Sequence, residues 1–289
     1  MIRLFIDNKE IDTGRIVFSD GAFGFDLKNL PETAHRIVFS VDPSTKVNTI
    51  LDELYQLDNA LNRYELYYYA DSSLYLPYLP YARADRKFSE NGNYGLHQFI
   101  TRLSEFNFDK IIVVDPHNPV KLNTQAKMCF SPFSRVEIIS QLEALGVALN
   151  NFRVDIKQYD AIIAPDKGAV GKAQVIADYY GLPLITCTKE RDPTTGKLSN
   201  PVVNGDVSGK KLLIVDDLLD AGGTYIQLAT ELQKQVPAQI DLYVTHLIAS
   251  KGLDILHGKI DNLFCYHTVA GYVTKDEVYK FNSNFNLGE

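Results

Sequence analysis

Short apolar segments typical of buried strands alternate along the chain with longer segments of helical period. Within 48–63, for example, Ile50, Leu54, Leu57 and Leu61 recur three or four positions apart and form one apolar face of a helix. The predicted strands lie at 36–41, 66–69, 111–114, 161–164, 184–187, 212–215 and 242–248, and the predicted helices at 48–63, 94–105, 136–148, 172–180 and 224–235. The alternation predicts an α/β fold of mostly parallel sheets flanked by helices.

The pattern passes through two rounds, which predicts two similar α/β domains that meet near residues 130–140. We expect an N-terminal domain over 1–135 and a C-terminal domain over 136–289. The segment from Gly271 onward has no assigned element, and one interpretation is that it returns to pack on the first domain.

Composition and charge narrow the class of protein. The chain has 289 residues, of which 45% are hydrophobic and 22% charged, a balance typical of a soluble globular protein. Lys and Arg total 29 against 36 Asp and Glu, a formal net charge of −7. An acidic chain of this kind argues against a protein that coats nucleic acid or an anionic membrane, although a local basic pocket for a phosphorylated metabolite remains compatible with it.

Neither a membrane span nor a disulfide framework is expected. The sequence contains no apolar run near the ~18–20 residues that a bilayer crossing needs, and its start becomes acidic at Asp7, too early for a secretory signal. Cys129, Cys187 and Cys265 lie far apart, which argues against a cysteine zinc site as well. We therefore expect a cytoplasmic protein in a reducing compartment.

The strongest chemical signal lies at 212–224. An apolar strand leads into Asp216 and Asp217, and a small-residue segment of Asp220, Ala221, Gly222, Gly223 and Thr224 then opens a helix. Ligands of open α/β sheets bind at the carboxyl ends of strands. Backbone N–H groups at 221–224, the helix dipole and the Thr224 hydroxyl are suited to hold a phosphate.

The two aspartates cannot hold that phosphate, because like charges repel. They suit neutral hydroxyl groups or a metal ion instead. A ligand with a phosphate at one end and a diol at the other satisfies both halves of the motif, and a ribose 5-phosphate unit fits this description. A capped helix after a buried strand is the structural alternative.

Other nucleotide motifs fit the chain less well. The segment 205–211 resembles a P-loop only loosely, since it is one residue short and has Lys211 where Ser or Thr should bind magnesium. A GxGxxG sequence does not follow any predicted strand, so dinucleotide binding has no support.

Residues 215–224 resemble the PRPP-binding loop (PRPP, phosphoribosyl diphosphate) that type I phosphoribosyltransferases share with ribose-phosphate diphosphokinases, the PRPP synthetases. Further segments resemble the second family in its own order. They are Phe18-Ser19-Asp20-Gly21, the stretch 80–87 with Arg83 and Asp85, Asp115-Pro116-His117, Ala164-Pro165-Asp166-Lys167-Gly168, and Lys189-Glu190-Arg191. The resemblance covers most of the chain and implies two phosphoribosyltransferase-like domains.

The resemblance implies an enzyme that transfers the β,γ-diphosphate of ATP to the 1-hydroxyl of ribose 5-phosphate. The products are PRPP and AMP. Such a transfer depends on positioning and charge neutralisation. Lys189 and Arg191 are the implied catalytic cations on a mobile loop.

The resemblance also implies the binding residues. Phe18, Asp20, Arg83, Asp85 and His117 are expected at ATP, with Phe18 and Asp20 lent to a neighbouring subunit. Asp166, Asp216, Asp217 and residues 220–224 are expected at ribose 5-phosphate. His117 and Asp166 are the implied ligands of Mg²⁺, which needs few protein ligands. The implied assembly is a homo-oligomer, at least a dimer and possibly a hexamer.

Two other interpretations remain open. A non-catalytic regulatory relative is favoured by Ala84 and Ala22, which stand where the family usually has polar residues for adenine, and is opposed by Lys189, Arg191 and His117. A phosphoribosyltransferase that consumes PRPP would need a separate site for the acceptor base, and the sequence does not reveal one.

Overall fold

The computed structural model describes residues 1–61, 69–87, 89–188 and 200–284. The chain divides into two compact units, Met1–Ile139 and Ser140–Glu289. Within the described ranges no helix is both long and apolar enough to cross a bilayer.

The described residues of the first unit form a six-stranded sheet, a two-stranded hairpin and three α-helices. Its strands are β1 (Ile2–Ile6), β2 (Lys9–Ile11), β3 (Ile16–Val17), β4 (Phe23–Gly24), β5 (Arg36–Val41), β6 (Asp71–Leu76), β7 (Lys110–Val114) and β8 (Arg135–Ile139), and its helices are α1 (Val47–Leu61), α2 (Gly95–Leu103) and α3 (Pro119–Cys129). The sheet order is β2-β1-β5-β6-β7-β8, parallel from β5 to β8 and antiparallel at β1 and β2. The hairpin pairs β3 with β4.

The second unit is built on the same plan. Its strands are β9 (Ala161–Ala164), β10 (Leu184–Thr188), β11 (Val202–Asn204), β12 (Lys211–Leu219), β13 (Gln239–Leu247) and β14 (Asn262–Thr268), and its helices are α4 (Gln141–Phe152), α5 (Val170–Tyr180), α6 (Gly223–Gln233) and α7 (Lys275–Asn284). The sheet order is β11-β10-β9-β12-β13-β14, and only β11 is antiparallel.

Helices cover both faces of the second sheet, and strand alternation assigns each side chain to a face. Leu212 and Ile214 of β12 belong to an apolar cluster with Leu228 of α6, whereas Leu213 and Val215 belong to a second cluster with Ile176 of α5. A strand buried on both faces must be apolar at consecutive positions, as β12 is from Leu212 to Val215. The expected α/β fold with parallel, helix-flanked sheets is confirmed.

The region around residue 136 differs from the sequence expectation. Instead of a helix over 136–148, β8 pairs with β7 up to Ile139, and α4 begins at Gln141. Ser140 and Glu143 form a capping box that fixes this start. Because β8 completes the first sheet, the chain divides after Ile139 rather than after residue 135.

Other elements were displaced or missed. The strand expected at 66–69 lies at Asp71–Leu76, and residues 66–68 are outside the described part. Helix α3 and strands β1 and β14 were not predicted. Helix α7 packs on β14 of its own unit, where the side chain of Asn282 bonds the backbone N–H and carbonyl of Leu263. Residues 275–284 thus pack on the sheet of the second unit.

Candidate functional site

Asp216 and Asp217 lie within β12 rather than after it. The strand pairs with β13 as far as Leu219, but its pairing with β9 ends at Ile214. Beyond that point β12 extends past β9, so the two carboxylates stand at the carboxyl edge of the sheet, beside the end of β9. This edge is where ligands of parallel sheets bind.

Asp216 is held at both carboxylate oxygens. Its Oδ1 accepts the backbone N–H of Asp217 at 2.8 Å, and its Oδ2 accepts the hydroxyl of Tyr225 at 2.8 Å. Burial and the negative charge of Asp217 raise the pKa of Asp216 to about 7, although the Tyr225 hydrogen bond opposes the shift. The Asp216 carboxyl group therefore keeps its proton to a higher pH than an ordinary carboxyl group does.

The small-residue segment forms a turn that opens α6. Gly222 has φ +75° and is the N-cap of the helix, and its carbonyl accepts the N–H groups of Tyr225 and Ile226. Asp220 and Thr224 flank the turn at partly buried positions, while Ala221 and Gly223 are exposed. The first amides of a helix have no partners within the helix, so this turn presents N–H donors of the kind that bind phosphate.

Asp220 is fixed from a second loop. The hydroxyl of Ser250, which follows β13, donates to Oδ1 of Asp220 at 2.5 Å. This hydrogen bond joins the loop after β12 to the loop after β13 at the same edge of the sheet.

Asp166 lies in the loop after β9. Its Oδ1 accepts the backbone N–H groups of Gly168 at 2.8 Å and Ala169 at 3.1 Å, just before α5 begins. The hydrogen bonds of Asp166 that the structure gives thus use Oδ1, which leaves Oδ2 as the oxygen suited to a cation or a hydroxyl group. Asp166 is also near enough to Asp216 to contribute to its raised pKa. The structure therefore brings Asp166, Asp216, Asp217 and the 220–224 turn to one edge of the second sheet.

In the first unit, Phe18 and Asp20 lie at the tip of the β3–β4 hairpin. Phe18 is 58% exposed, and Asp20 is exposed with its Oδ1 accepting the N–H of Ala22. At the base of the hairpin, Arg15 contacts the buried Glu53 of α1 at 3.2 Å and lies over the ring of Phe23. The hairpin tip is thus presented to solvent from an anchored base.

Arg83, Asp85 and His117 lie in two loops of the first unit. The side chain of Asn118, directly after His117, donates to Oδ2 of Asp85 at 3.1 Å, which joins these loops. Asp115, two residues before His117, is buried and has φ +39°, in the left-handed region that Asp tolerates better than most residues. Arg83 and His117 are both exposed beside this junction.

The catalytic cations and the metal site are less defined than the ribose phosphate residues. Lys189 and Arg191 lie outside the described residues. Among the described residues, no group of three His, Cys, Asp or Glu side chains is arranged to hold a metal ion. The Oδ2 of Asp166 has the oxygen chemistry that Mg²⁺ prefers, and Mg²⁺ needs only one or two protein carboxylates when phosphates supply other oxygens.

Sequence reasoning missed Tyr225 and Ser250. Tyr225 occupies the position after Thr224, and nothing in a helical pattern indicates that its hydroxyl turns back to a strand residue nine positions earlier. Ser250 lies 30 residues after Asp220 and carries no motif. Each contact depends on how β12, β13 and α6 pack together.

The chain is similar to known proteins in both sequence and fold. Residues 137–266 match the phosphoribosyl transferase domain family. The chain is 30% identical over 208 residues to the ribose-phosphate pyrophosphokinase of Pyrococcus furiosus. The aligned residues make up 72% of this chain and 70% of that protein. It is 25% identical over 261 residues to the ribose-phosphate pyrophosphokinase of Mycoplasmopsis pulmonis, covering 89% of this chain and 77% of that one.

The fold is shared with a solved structure. The phosphoribosylpyrophosphate synthetase from Mycobacterium smegmatis superposes with a TM-score of 0.70 at 20% identity, over 95% of this chain and 90% of that chain. An identity of 20% shows only that the fold is shared. The family is shown by the 30% identity to the relative from Pyrococcus furiosus. With its phosphoribosyltransferase-type fold, the chain belongs to the ribose-phosphate pyrophosphokinase family.

Proposed function

We propose that the protein is a ribose-phosphate diphosphokinase that transfers the β,γ-diphosphate of ATP to the 1-hydroxyl of ribose 5-phosphate. The observation that carries this proposal is the edge of the second sheet, where carboxylates and a helix N-terminus stand side by side. A ligand with a phosphate at one end and a diol at the other can bind both, with the phosphate at the helix N-terminus and the diol at the carboxylates. Family membership points to the same substrates.

In this proposal the second unit holds the sugar phosphate. The amides of 221–224 and the Thr224 hydroxyl donate to the 5-phosphate, and Asp216 and Asp217 accept hydrogen bonds from ribose hydroxyls. When the sugar is bound at both its phosphate and its hydroxyl groups, the orientation of its 1-hydroxyl is fixed. This orientation is the main requirement for in-line attack on the β-phosphorus. A bond forms between the 1-oxygen and the β-phosphorus while the bond from the β-phosphorus to the α–β bridging oxygen breaks. AMP leaves with that oxygen, and the proton of the 1-hydroxyl passes to solvent.

The first unit is proposed to bind ATP. Arg83 and His117 stand exposed beside the Asp85–Asn118 junction, in reach of solvent-borne phosphates. Lys189 and Arg191 are proposed as the cations that neutralise the diphosphate in transit. Mg²⁺ is the proposed cofactor. Asp166 of the second unit and His117 of the first unit are each proposed as a ligand from their own unit, and the ion would supply charge neutralisation on the phosphate oxygens.

A homo-oligomer is proposed because the hairpin tip is apolar and exposed. Ile16 and Val17 are 50% and 56% exposed next to Phe18, which is unusual for three consecutive large apolar residues in a monomer. Light scattering of the purified protein tests the proposal. A dimer or larger assembly that the substitution Phe18→Ser weakens supports it, and a monomer at all concentrations contradicts it.

The activity test is direct. Purified protein is incubated with Mg²⁺, ribose 5-phosphate and ATP labelled at the β-phosphorus, and the products are separated by chromatography. Label in PRPP with equimolar AMP is the expected result. Absence of both products across several divalent metals and nucleotides overturns the proposal, and tight ATP binding without turnover favours a regulatory relative instead.

A matched pair of variants places the activity at the proposed site. Asp217→Asn is expected to reduce turnover with ribose 5-phosphate at least tenfold. Asp178→Asn is the control, because Asp178 is an exposed carboxylate on α5 whose contact with Gln174 an amide oxygen can keep. Equal activity of the two variants would remove Asp217 from the site.

A further inference from the structure

Tyr225 connects the two halves of the candidate ribose phosphate site. It lies in the first turn of α6, directly after Thr224, and is only 3% exposed. Its single hydroxyl proton is shared between two acceptors, Oδ2 of Asp216 at 2.8 Å and the carbonyl oxygen of Leu218 at 2.6 Å. A buried tyrosine hydroxyl needs such partners, but both of these acceptors belong to the strand that carries the carboxylates.

The bond leaves Asp216 little freedom. With Oδ1 on the N–H of Asp217 and Oδ2 on Tyr225, the carboxylate cannot rotate without breaking a hydrogen bond. Burial and the charge of Asp216 raise the pKa of Tyr225 well above its usual range, so the phenol keeps its proton and remains a donor. The lone pairs of Asp216 that remain available therefore have a fixed direction.

The bond also fixes a distance. Asp216 belongs to β12, whereas Tyr225 belongs to the helix whose first amides form the phosphate turn. Their hydrogen bond closes the segment 216–225 into a loop and holds the carboxylate at a set separation from those amides. A ligand that must contact both the Asp216 carboxylate and the first amides of α6 is therefore selected by its length.

We propose that Tyr225 is a positioning residue that sets the separation between the Asp216 carboxylate and the phosphate-binding turn, and so selects a five-carbon sugar phosphate. This inference rests on the proposed function of the site. Tyr225 itself acts through Asp216 and needs no contact with the substrate. Removal of its hydroxyl should loosen the hold on the sugar and leave the hold on the phosphate intact.

The test is Tyr225→Phe, which keeps the ring and deletes the hydroxyl. Calorimetry should show the Kd for ribose 5-phosphate rising about tenfold, the effect of one lost hydrogen bond. Binding of ethyl phosphate, which has the phosphate but no hydroxyl group, should be unchanged. In the kinetic assay the KM for ribose 5-phosphate should rise while the KM for ATP stays the same.

Tyr159→Phe is the matched control. Tyr159 also donates its hydroxyl to a buried aspartate of the same unit, Asp241, at 2.5 Å, but at the amino end of the sheet. This variant should lose thermal stability and keep the Kd for ribose 5-phosphate within twofold. An equal change in Kd in both variants would mean that general loosening, not positioning, is responsible, and would overturn the inference.

Coupling gives a second, independent result. If Tyr225 acts through Asp216, then Tyr225→Phe should have no further effect on the Kd in an Asp216→Ala background, and additive effects would overturn the inference. If Tyr225→Phe fails to fold, a crystal structure of the wild-type protein with ribose 5-phosphate tests the inference instead. A Tyr225–Asp216 hydrogen bond that is broken in the bound state would overturn the positioning role of Tyr225. Binding that follows this pattern without PRPP formation would contradict the proposed reaction alone.

Discussion

The hydroxyl of Ser250 donates to Oδ1 of Asp220 at 2.5 Å, across 30 residues of sequence. The contact links the turn that opens α6 to the loop after β13. Because parallel strands end at the same edge of a sheet, loops that are distant in sequence meet there. The orientation of Asp220 is thus determined by a residue outside the motif to which Asp220 belongs.

Loss of the Ser250 hydroxyl should weaken the turn. We expect Ser250→Ala to raise the KM for ribose 5-phosphate about three- to tenfold, the cost of one charge-assisted hydrogen bond, with a smaller change in the KM for ATP. Steady-state kinetics measures both. Ser208→Ala, at an exposed loop position of the same unit, should leave both constants unchanged, and a comparable change there would contradict the expectation.

The two glycines of the turn should respond differently to alanine. Gly222 has φ +75°, and an added Cβ would lie 2.6 Å from Cδ1 of Ile255, whereas an added Cβ at Gly223 meets nothing within 4 Å. Gly222→Ala should therefore lower the free energy of unfolding by about 1–3 kcal/mol, and Gly223→Ala should change it by less than about 0.5 kcal/mol. Urea denaturation of both variants checks this, and equal losses would contradict it.

The raised pKa of Asp216 predicts a pH dependence of stability. Between about pH 4 and the folded-state pKa of about 7, the native protein holds a proton that the unfolded chain has released, so stability falls as the pH rises through this window. Asp216→Asn removes this group. An amide has one acceptor oxygen, so the variant loses one of the two hydrogen bonds that Asp216 accepts, but it avoids the cost of ionising a buried carboxyl group. Relative to the wild type, its stability should therefore be more favourable at pH 8 than at pH 4.5, by roughly 3 kcal/mol.

Thermal unfolding of the wild type and Asp216→Asn at both pH values measures the difference. Asp178→Asn provides the control, because its carboxylate is exposed. A gain at pH 8 no larger than the gain at pH 4.5 would show that Asp216 titrates as an ordinary carboxyl group.

The anchor of the β3–β4 hairpin should depend on Glu53. This 3% exposed carboxylate accepts the N–H of Ile2 at 2.9 Å and the guanidinium of Arg15 at 3.2 Å. Glu53→Gln removes the negative charge and should cost about 1–2 kcal/mol. Hydrogen exchange at 16–24 should accelerate, since Arg15 then loses its charged partner.

Asp52→Asn is the control for this anchor. Asp52 is the exposed neighbour of Glu53 on α1, and the substitution should alter neither stability nor hydrogen exchange of the hairpin. Unchanged exchange at 16–24 in Glu53→Gln would show that the hairpin base is held by other contacts.

Local patterns accounted for much of the architecture. The helix at Val47–Leu61 and the strands at Arg36–Val41 and Ala161–Ala164 follow from the spacing of their apolar residues, which acts over a few positions. The strand β8 was mistaken for part of a helix, because 136–148 joins an apolar strand to a helix with only Ser140 between them. Its identity depends on pairing with β7, a long-range contact.

The candidate site also has a part that the sequence indicates and a part that depends on long-range contacts. The sequence alone indicates the phosphate turn and the aspartate pair, since small residues, a helix start and adjacent carboxylates are consecutive in the chain. That β12 continues through Asp216 and Asp217 is decided by its register with β13, and that Tyr225 and Ser250 hold Asp216 and Asp220 is decided by the packing of α6 and the loop after β13. Motif chemistry is local and readable along the chain, whereas the orientation of each carboxylate depends on donors that only the folded sheet brings within hydrogen-bonding distance.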